Sequence, residues 1–428
     1  MTALTAVIPR TAGVTVSRRA LAAGALALFG LADVLIFGLF AHKGDAIFAL
    51  SVTGAKVNVP AIRVPAGPLA YVLGGLSLLI AAARATVVQS PVLRRLGIAA
   101  VLLFFVLSLL AWSDTGSWVQ GIPVNVVTLL QNTMAGSIPL ILGALAGCLG
   151  ERAGVINIAI EGQLLLGAFT AAIVASAVGV LWLGLIGGSL AGALVGAVLA
   201  TFAIRYLVEQ IVLGVVLNVL VIGLTGYLYD RLLVPDANTY NNASTFGPIK
   251  IPGLGDIPII GPILFDSTIF LYLTYVAIIA VQVGLFSTRW GLRVRAVGEH
   301  PTAADTVGIR VLGIRYRNLI LGGMLAGIGG AYLTIGSVGT FSKGMSSGLG
   351  YIALAAMIFG RWSPLGATAA ALLFGFTNVL GNFLGTITVP ISPYILAMAP
   401  YVATIIAVAG LVGRVRAPAA DGKPYQRA

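Results

Sequence analysis

The sequence predicts an all-α, polytopic membrane protein, a helical bundle with about 10–12 transmembrane segments and room for half-helices. Three observations support this class. Of the 428 residues, 59% are hydrophobic and only 9% are charged, whereas soluble domains carry about 25% charged residues. The mean hydropathy is +1.03. Apolar runs of about 20 residues, the length that crosses a bilayer as a helix, recur along the chain.

The apolar runs can be placed in chain order. The predicted spans are 20–40, 67–83, 96–112, 126–149, 156–178, 181–204, 211–229, 268–286, 319–337, 349–359, 365–384 and 394–411. The run 349–359 is short and is predicted to be a half-helix or a re-entrant piece. Glycines at small-xxx-small spacing, such as Gly184, Gly188, Gly192 and Gly196, predict close packing of helices within the bundle.

The distribution of basic residues predicts the orientation of the chain. If the N-terminus lies inside and the spans alternate, 19 of the 25 Lys and Arg residues fall on the inner side. This bias follows the positive-inside rule, so we expect both termini in the cytoplasm. It also accounts for the net charge of +12 without a nucleic-acid partner.

The residue content argues against catalysis by this chain. His42 and His300 both lie in predicted loops, and the sequence has neither a metal-binding His/Cys motif nor a phosphate-binding loop. We therefore expect no metal, no cofactor and no ATP hydrolysis on this chain. The single cysteine, Cys148, excludes an internal disulfide.

Polar residues inside spans are the candidates for a solute path, because they are costly in lipid and usually face a bundle interior or a water-filled cavity. Interhelical hydrogen bonding is the alternative role for Asn218, Asn378 and Asn382. For Glu161, a structural anchor at a break between helices competes with direct solute contact. The candidate path residues are Asn157, Glu161, Gln163, Asn218, Asn378 and Asn382.

The predicted inner loop 287–317 carries six arginines and contains a short helix signal. Pro301 suits the first turn of a helix, and Gly308 suits its end. The spacing of Ala303, Ala304 and Val307 places them on one side. Such a helix can dock into a partner's groove, or it can be part of a solvated or lipid-surface loop.

Two stretches of the chain carry a family resemblance. The segment "EHPTAADTVGI" resembles the coupling segment of ABC importer permeases. The segment "GERAGVINIAIEGQLLLGAF" resembles permeases of the branched-chain amino acid, simple sugar and nucleoside importer group, and is most similar to the nucleoside-type branch. The segment 348–367 and the tail "RAPAADGKPY" support the same branch.

The resemblance implies a permease subunit of the bacterial plasma membrane that pairs with a second, related permease. A cytoplasmic ATPase would dock on the coupling segment and use ATP, and an extracellular solute-binding lipoprotein would deliver a nucleoside. Asn157, Glu161 and Gly162 match the motif near the substrate path. The residues that match the coupling motif are Glu299, Pro301, Ala303, Ala304, Gly308 and Ile309.

The resemblance covers roughly residues 123–425, so the predicted domains are an N-terminal extension with about three helices (1–115), a permease core (116–413) and a cytoplasmic tail (414–428). The extension is expected to be peripheral or regulatory. Two alternative functions remain open. One is the same machine for simple sugars or branched-chain amino acids, and the other is an ion-coupled secondary transporter that uses Glu161 or Asp33.

Overall fold

The computed structural model describes residues 18–40, 44–52, 54, 56–87, 90–115, 124–387, 395, 398 and 416–426. By its internal contacts the chain divides into two compact units. Unit 1 comprises residues 1–48 and 62–124, and unit 2 comprises residues 49–61 and 125–428. The predicted division of the chain after residue 115 stays a prediction.

Where the structure describes it, unit 1 holds three helices and a short antiparallel strand pair. The elements are α1 (Arg18–Ala32, continued by a π-helical turn Asp33–Gly38), β1 (Asp45–Ala49), β2 (Ile62–Pro65), α2 (Ala66–Thr86) and α3 (Pro91–Asp114). In the strand pair Asp45 lies opposite Pro65, and Phe48 lies opposite Ile62.

A buried carboxylate lies within unit 1. Asp33 is fully buried where α1 passes Gly74 of α2. Gly30 and Gly74 approach so closely that a Cβ on Gly30 would lie 3.0 Å from the Gly74 carbonyl oxygen. Small residues let the two backbones meet, as the sequence pattern of membrane helices predicts.

Unit 2 holds the remaining helices of the described chain. Its long helices are α4 (Val126–Arg152), α5 (Ile160–Val178), α6 (Leu181–Ala200), α7 (Gln210–Leu228), α10 (Ile269–Ser287), α13 (Val311–Leu333) and α15 (Pro364–Thr386). The short ones are α8 (Ala237–Tyr240), α9 (Ile260–Phe265), α11 (Arg289–Glu299), α12 (Pro301–Thr306) and α14 (Leu349–Phe359). The two-residue strands are β3 (Val124–Asn125), which straddles the unit boundary, and the antiparallel pair β4 (Ile249–Lys250) and β5 (Asp266–Ser267).

The predicted membrane architecture is confirmed. Among the described residues, nine helices are long and apolar enough to cross a membrane, and 22–38 and 349–359 form shorter apolar helices. The predicted start of one span was wrong: α13 begins at Val311 rather than near Leu319, so Arg315 and Arg317 belong to a helix and not to a loop. The predicted last span, 394–411, lies outside the described residues apart from Ile395 and Met398.

The interface between α6 and α13 shows why the glycine pattern matters. A Cβ on Gly192 would collide with the backbone carbonyl of Gly323, and one on Gly188 would lie 2.8 Å from the carbonyl oxygen of Gly167 on α5. The backbones of α5, α6 and α13 are therefore in direct contact along this seam. Because the hydrophobic effect does not favour helix association within lipid, van der Waals contacts from this close packing stabilise the association.

The core of unit 2 is centred on α4. Its segment 137–151 is almost wholly buried, and Cys148 is fully buried within it. By contrast, many large apolar side chains of α6 and α7 are exposed, including Leu190, Leu194, Val215 and Val219. Apolar side chains exposed on spanning helices are what a lipid or a partner-helix environment requires.

Candidate functional site

Helix α4, which runs into the segment "GERAGVINIAIEGQLLLGAF", ends at Arg152 in a sharp break. After Arg152 the chain turns through Gly154, whose φ of +84° is left-handed, and the next helix begins only at Ile160. Backbone groups in such a break need partners other than a helix ladder. The Ile156 N–H donates to the side-chain carbonyl of Gln210 at 2.8 Å, which ties the break to the start of α7.

Glu161 joins this break to the half-length helix α14. Its carboxylate accepts from the Ser346 hydroxyl at 2.6 Å, from the Gly348 N–H at 2.9 Å and from the Gly350 N–H at 2.7 Å. The side chain is 4% exposed. A carboxylate at a helix N-terminus satisfies orphan N–H groups and favours the helix dipole. These three hydrogen bonds suit the predicted role of Glu161 as a structural anchor. Contact of Glu161 with solute stays a prediction.

The amide side chains near the break satisfy one another. Asn157 and Gln163 are both fully buried and exchange hydrogen bonds of 3.1 and 3.3 Å. Asn218 of α7 accepts from the Gly162 N–H at 2.8 Å and donates to the Ile158 carbonyl at 2.9 Å. The structure thus brings four of the six candidate path residues together, counting Glu161.

Two candidate path residues lie elsewhere. Asn378 is half-buried and Asn382 is exposed, one turn apart on α15. The structure gives their side chains no hydrogen-bond partner among its described residues, so the path role of both remains a prediction.

Sequence reasoning missed Tyr351, in the first turn of α14. Its hydroxyl accepts from the Asn218 amide at 3.1 Å, while the residue as a whole is 45% exposed. Tyr351 is therefore the point where the buried amide network reaches the surface of this chain. The sequence does not mark Tyr351 as a partner of Asn218, because an aromatic residue in an apolar run is common. The contact between the two depends on the packing of α7 against α14.

The predicted inner loop holds two short helices, and the coupling segment, residues 299–309, includes the last residue of α11 and all of α12. α11 is capped by Thr288, whose hydroxyl accepts from the Gly291 N–H at 3.1 Å, and α12 begins at Pro301 as expected. The helix ends before Gly308, whose φ is +84° and whose N–H donates to the Asp305 carbonyl. This left-handed position is one that glycine adopts without strain.

The faces of α12 differ from the predicted pattern. Ala304 is buried against Val297, Val311 and Tyr425, while Ala303 and Val307 are exposed, the latter by 74%. The three residues therefore do not share one environment, because Ala304 packs inward and its neighbours point away. Glu299 is exposed and Ile309 is half-buried at the two ends of the segment.

A carboxyl pair lies beside the coupling segment. Glu151, at the end of α4, is buried and accepts from the Trp362 indole N–H, and its carboxyl lies beside that of Asp421 in the C-terminal tail. Two carboxyl groups side by side do not both ionise readily, so this arrangement favours a proton held by the pair. Burial raises the pKa of Asp421 to about 7, against the lowering effect of the Glu151 bond, the Gly422 N–H and Arg315.

The described residues contain no group of three or more His, Cys, Asp or Glu side chains arranged to hold a metal ion. The site offers instead buried amides, a carboxylate that caps a half-helix and an exposed tyrosine. Side chains of these types interact with other polar groups through hydrogen bonds.

The fold and this site define a multi-pass membrane permease. The family model described as "Branched-chain amino acid transport system / permease component" matches residues 129–412, and the chain belongs to that family. No solved structure matches this chain.

Curated relatives agree with the family. The chain is 40% identical to the guanosine ABC transporter permease protein NupQ of Bacillus subtilis, over 68% of this chain and 94% of the relative. It is 39% identical to the nucleoside ABC transporter permease protein NupC of Lactococcus lactis, over 71% of this chain and 99% of the relative. It is 32% identical to a putative glucose ABC transporter permease protein, TsgC13 of Haloferax volcanii, over 59% of this chain and 76% of the relative.

Proposed function

We propose that this chain is a permease subunit of an ATP-driven importer of nucleosides. The observation that carries the proposal is the similarity to NupQ and NupC, at 40% and 39% identity over nearly their full lengths. Both relatives are named for nucleosides. The match to the family model, residues 129–412, spans the break, the half-helix and the coupling segment.

The residues around the break are proposed to line the solute path. Asn157, Gln163 and Asn218 hold the break in shape, and Glu161 fixes the N-terminus of α14. Tyr351 presents its ring at the edge of this network, where a nucleobase can stack on it. Asn378 and Asn382 add polar groups on α15, which offer hydrogen bonds to ribose hydroxyls.

The coupling segment is proposed as the docking site of a cytoplasmic ATPase. The exposed Ala303 and Val307 supply a small apolar surface, and Ala304 and Ile309 anchor the segment to the bundle. Pro301 and Gly308 set its ends, and Glu299 is exposed beside it. ATP is then used by the partner, and this chain binds no cofactor. Both termini would lie in the cytoplasm of a bacterial cell.

Two further partners follow from the proposal. A second, related permease completes the path, which is supported by the match of this chain to two different nucleoside permeases of Lactococcus lactis, NupC and NupB. An extracellular solute-binding lipoprotein delivers the nucleoside and sets much of the selectivity.

The proposal is tested by uptake of radiolabelled guanosine in cells that express this chain from its own locus. Uptake should be lost on deletion of this chain and on deletion of the ATPase that co-purifies with it. Uptake that persists without any partner ATPase, and that collapses with a protonophore, would instead support an ion-coupled transporter.

A second candidate is import of a simple sugar by the same machine. It is favoured by the 32% identity to the putative glucose permease TsgC13. Competition separates the two candidates: excess unlabelled guanosine blocks the labelled uptake if the solute is a nucleoside, whereas excess glucose blocks it if the solute is a sugar. Leucine serves as the third competitor, because branched-chain amino acids are the solutes in the family description.

A further inference from the structure

The C-terminal tail, residues 416–426, is bonded to both ends of the coupling segment. The Ala420 N–H donates to the Gly298 carbonyl at 2.9 Å, and the Ala419 N–H donates to the Glu299 carboxylate at 3.2 Å. At the other end, the Tyr425 hydroxyl donates to the Asp305 carboxylate at 2.9 Å. The Tyr425 ring is 8% exposed and packs beside Ala304. The tail is therefore bonded to the coupling segment at its start and again near the end of α12.

The same tail is also bonded to the helical bundle. The guanidinium of Arg315 on α13, 2% exposed, donates to the Lys423 carbonyl at 3.0 Å. The carboxyl of Asp421 lies beside that of Glu151 at the end of α4, and a Cβ on Gly154 in the break would lie 3.2 Å from the Ala420 carbonyl oxygen. Gly422, with φ of +72°, lies so close to Ile156 of the break that a Cβ would be 2.7 Å from the Ile156 side chain. One short segment thus contacts the coupling segment, two spanning helices and the break.

From Glu151 the contacts continue to α14. The other side of the Glu151 carboxylate accepts the Trp362 indole N–H, and Arg152 donates to the carbonyls of Trp362 and Arg361 at 2.8 and 3.2 Å. Arg361 and Trp362 form the turn after α14, and both have left-handed φ values, of 59° and 54°. Non-glycine residues hold such angles only where surrounding contacts over-determine them. The C-terminal end of α14 is therefore fixed through Glu151 and Arg152, as its N-terminal end is fixed through Glu161.

We infer that the tail is a positioning strap, which transmits displacement of the coupling segment through Asp421 and Glu151 to Trp362 and the half-helix α14. The inference rests on the proposed function, since it requires an ATPase that moves the coupling segment. α14 is suited to move in response to the coupling segment, because it is only 11 residues long and borders the break at both of its ends. The energetic coupling along this chain of contacts is measured by comparing uptake with ATP hydrolysis.

The test compares uptake with ATP hydrolysis in the complete importer, purified with its partners and reconstituted in proteoliposomes with its binding protein. The variant is Asp421→Ala combined with Tyr425→Phe, which removes the carboxyl beside Glu151 and the hydroxyl that donates to Asp305. Lys423→Ala is the matched control, because it lies in the same tail with an exposed side chain and keeps the carbonyl that Arg315 contacts.

We expect the number of guanosine molecules taken up per ATP hydrolysed to fall about fivefold or more in the double variant, the lower end of typical coupling between distant sites. Assembly, checked by size exclusion, and ATP hydrolysis should persist, and the Lys423→Ala complex should keep the wild-type ratio. A ratio in the double variant equal to that of Lys423→Ala would overturn the strap. If the double variant does not assemble, Tyr425→Phe alone decides by the same ratio.

A second readout follows the half-helix directly. In the wild-type complex, hydrogen exchange of the 349–359 amides should change when a non-hydrolysable ATP analogue is added, and in the variant this change should be lost. Failure of the proposed function is distinguishable from failure of the strap. In the first case the wild-type complex takes up no guanosine at all, and in the second case the wild type and the variant transport with the same ratio.

Discussion

Glu161 accepts the backbone N–H of Gly350 at 2.7 Å, across 189 residues of sequence. The two residues are in such close contact that a Cβ on Gly350 would collide with the Glu161 backbone. A carboxylate on one helix therefore completes the first turn of another. The start of α14 depends on a residue that sequence proximity does not connect to it.

Replacement of Glu161 by Gln tests this cap. The amide keeps one acceptor oxygen, but its NH2 group then faces either the Gly350 N–H or the Gly348 N–H, which leaves a buried donor without an acceptor. We expect the free energy of unfolding to fall by about 1–3 kcal/mol, the cost of one unsatisfied buried group. Thermal unfolding in detergent, followed by size exclusion, measures the change.

Glu209→Gln is the matched control for that cap. Glu209 also accepts two backbone N–H groups at a helix start, those of Ile211 and Val212, but it is exposed. Water replaces the lost interaction there, so its effect should be much smaller. Equal stability of Glu161→Gln and wild type would show that the carboxylate is not needed as a cap, and loss of uptake without loss of stability would assign it to the path.

The seam between α6 and α13 gives a packing prediction. Gly192→Ala places a methyl group against the Gly323 carbonyl, and backbone atoms cannot move aside as a flexible side chain does. We expect a loss of about 1–3 kcal/mol from overpacking, seen as a lower unfolding temperature in detergent. Gly223→Ala on α7 is the control, since nothing lies within 4 Å of its added methyl group and alanine favours the helix. If the Gly192→Ala protein were as stable as the Gly223→Ala protein, close backbone packing of α6 against α13 at Gly192 would be contradicted.

Gly308 gives a prediction for the coupling segment. A bulky charged side chain there, as in Gly308→Glu, should abolish guanosine uptake while the protein remains in the membrane. Within the described part of the chain nothing lies within 4 Å of the added Cβ, so the loss would come from backbone strain or from the docking surface. Gly179→Glu is the matched control, because Gly179 has a similar φ of +73° and equally open surroundings at the end of α5. Equal loss in both variants would point to strain rather than docking.

Asp421 gives a pH prediction with a definite sign. Burial raises its pKa to about 7, so the docked tail binds a proton that a free aspartate releases near pH 4. Docking is therefore most stable at acid pH and weakens as pH rises toward about 7. The groups that face Asp421 are Glu151 from α4, which shares the proton, and Arg315 from α13, which partly offsets the rise.

Hydrogen exchange at the amides of Ala419 and Ala420 measures this docking. After correction for the intrinsic exchange rate, both amides should be better protected at pH 6 than at pH 8. Asp421→Asn should reduce the difference, because that side chain then no longer titrates and Glu151 is left as the one titrating carboxyl of the pair. A pH difference that persists unchanged in Asp421→Asn would contradict the assignment to this carboxyl group.

Tyr351 gives a prediction for solute binding. If a nucleobase stacks on its ring, Tyr351→Ala should raise the KM for guanosine by about tenfold, within the 1–3 kcal/mol typical of base–aromatic stacking. Tyr351→Phe keeps the ring and should have a smaller effect, limited to the lost bond with Asn218. The exposed Tyr227 of α7, replaced by Ala, is the control and should leave KM unchanged. Similar KM values in all three variants would exclude Tyr351 from the path.

The spans were predictable because the bilayer imposes a length of apolar sequence that few other environments require. The short length of α14 was predictable for the same reason. Pro301 and Gly308 were predictable as the ends of a short helix because proline and glycine have strong backbone preferences. Each of these features depends on local chemistry, which a single stretch of sequence contains.

The partners of the polar residues were not predictable in the same way. Arg315 looked like one of six loop arginines, yet it is buried, and the Lys423 carbonyl, 108 residues away, accepts a hydrogen bond from its guanidinium. The pairing of Glu151 with Asp421 and the contact of Asn218 with Tyr351 likewise join distant segments. Such pairs depend on tertiary packing, and nothing in the residues themselves selects one distant partner over another.

The burial of Cys148 has a practical consequence. It is the only thiol in the sequence and lies fully covered inside α4. A covered thiol reacts slowly with bulky maleimides, so the native chain already serves as a low-background host for site-directed labelling. Fluorophores or spin probes attached at new cysteines on α12 and α14 would then report their separation during turnover without first removing the native residue.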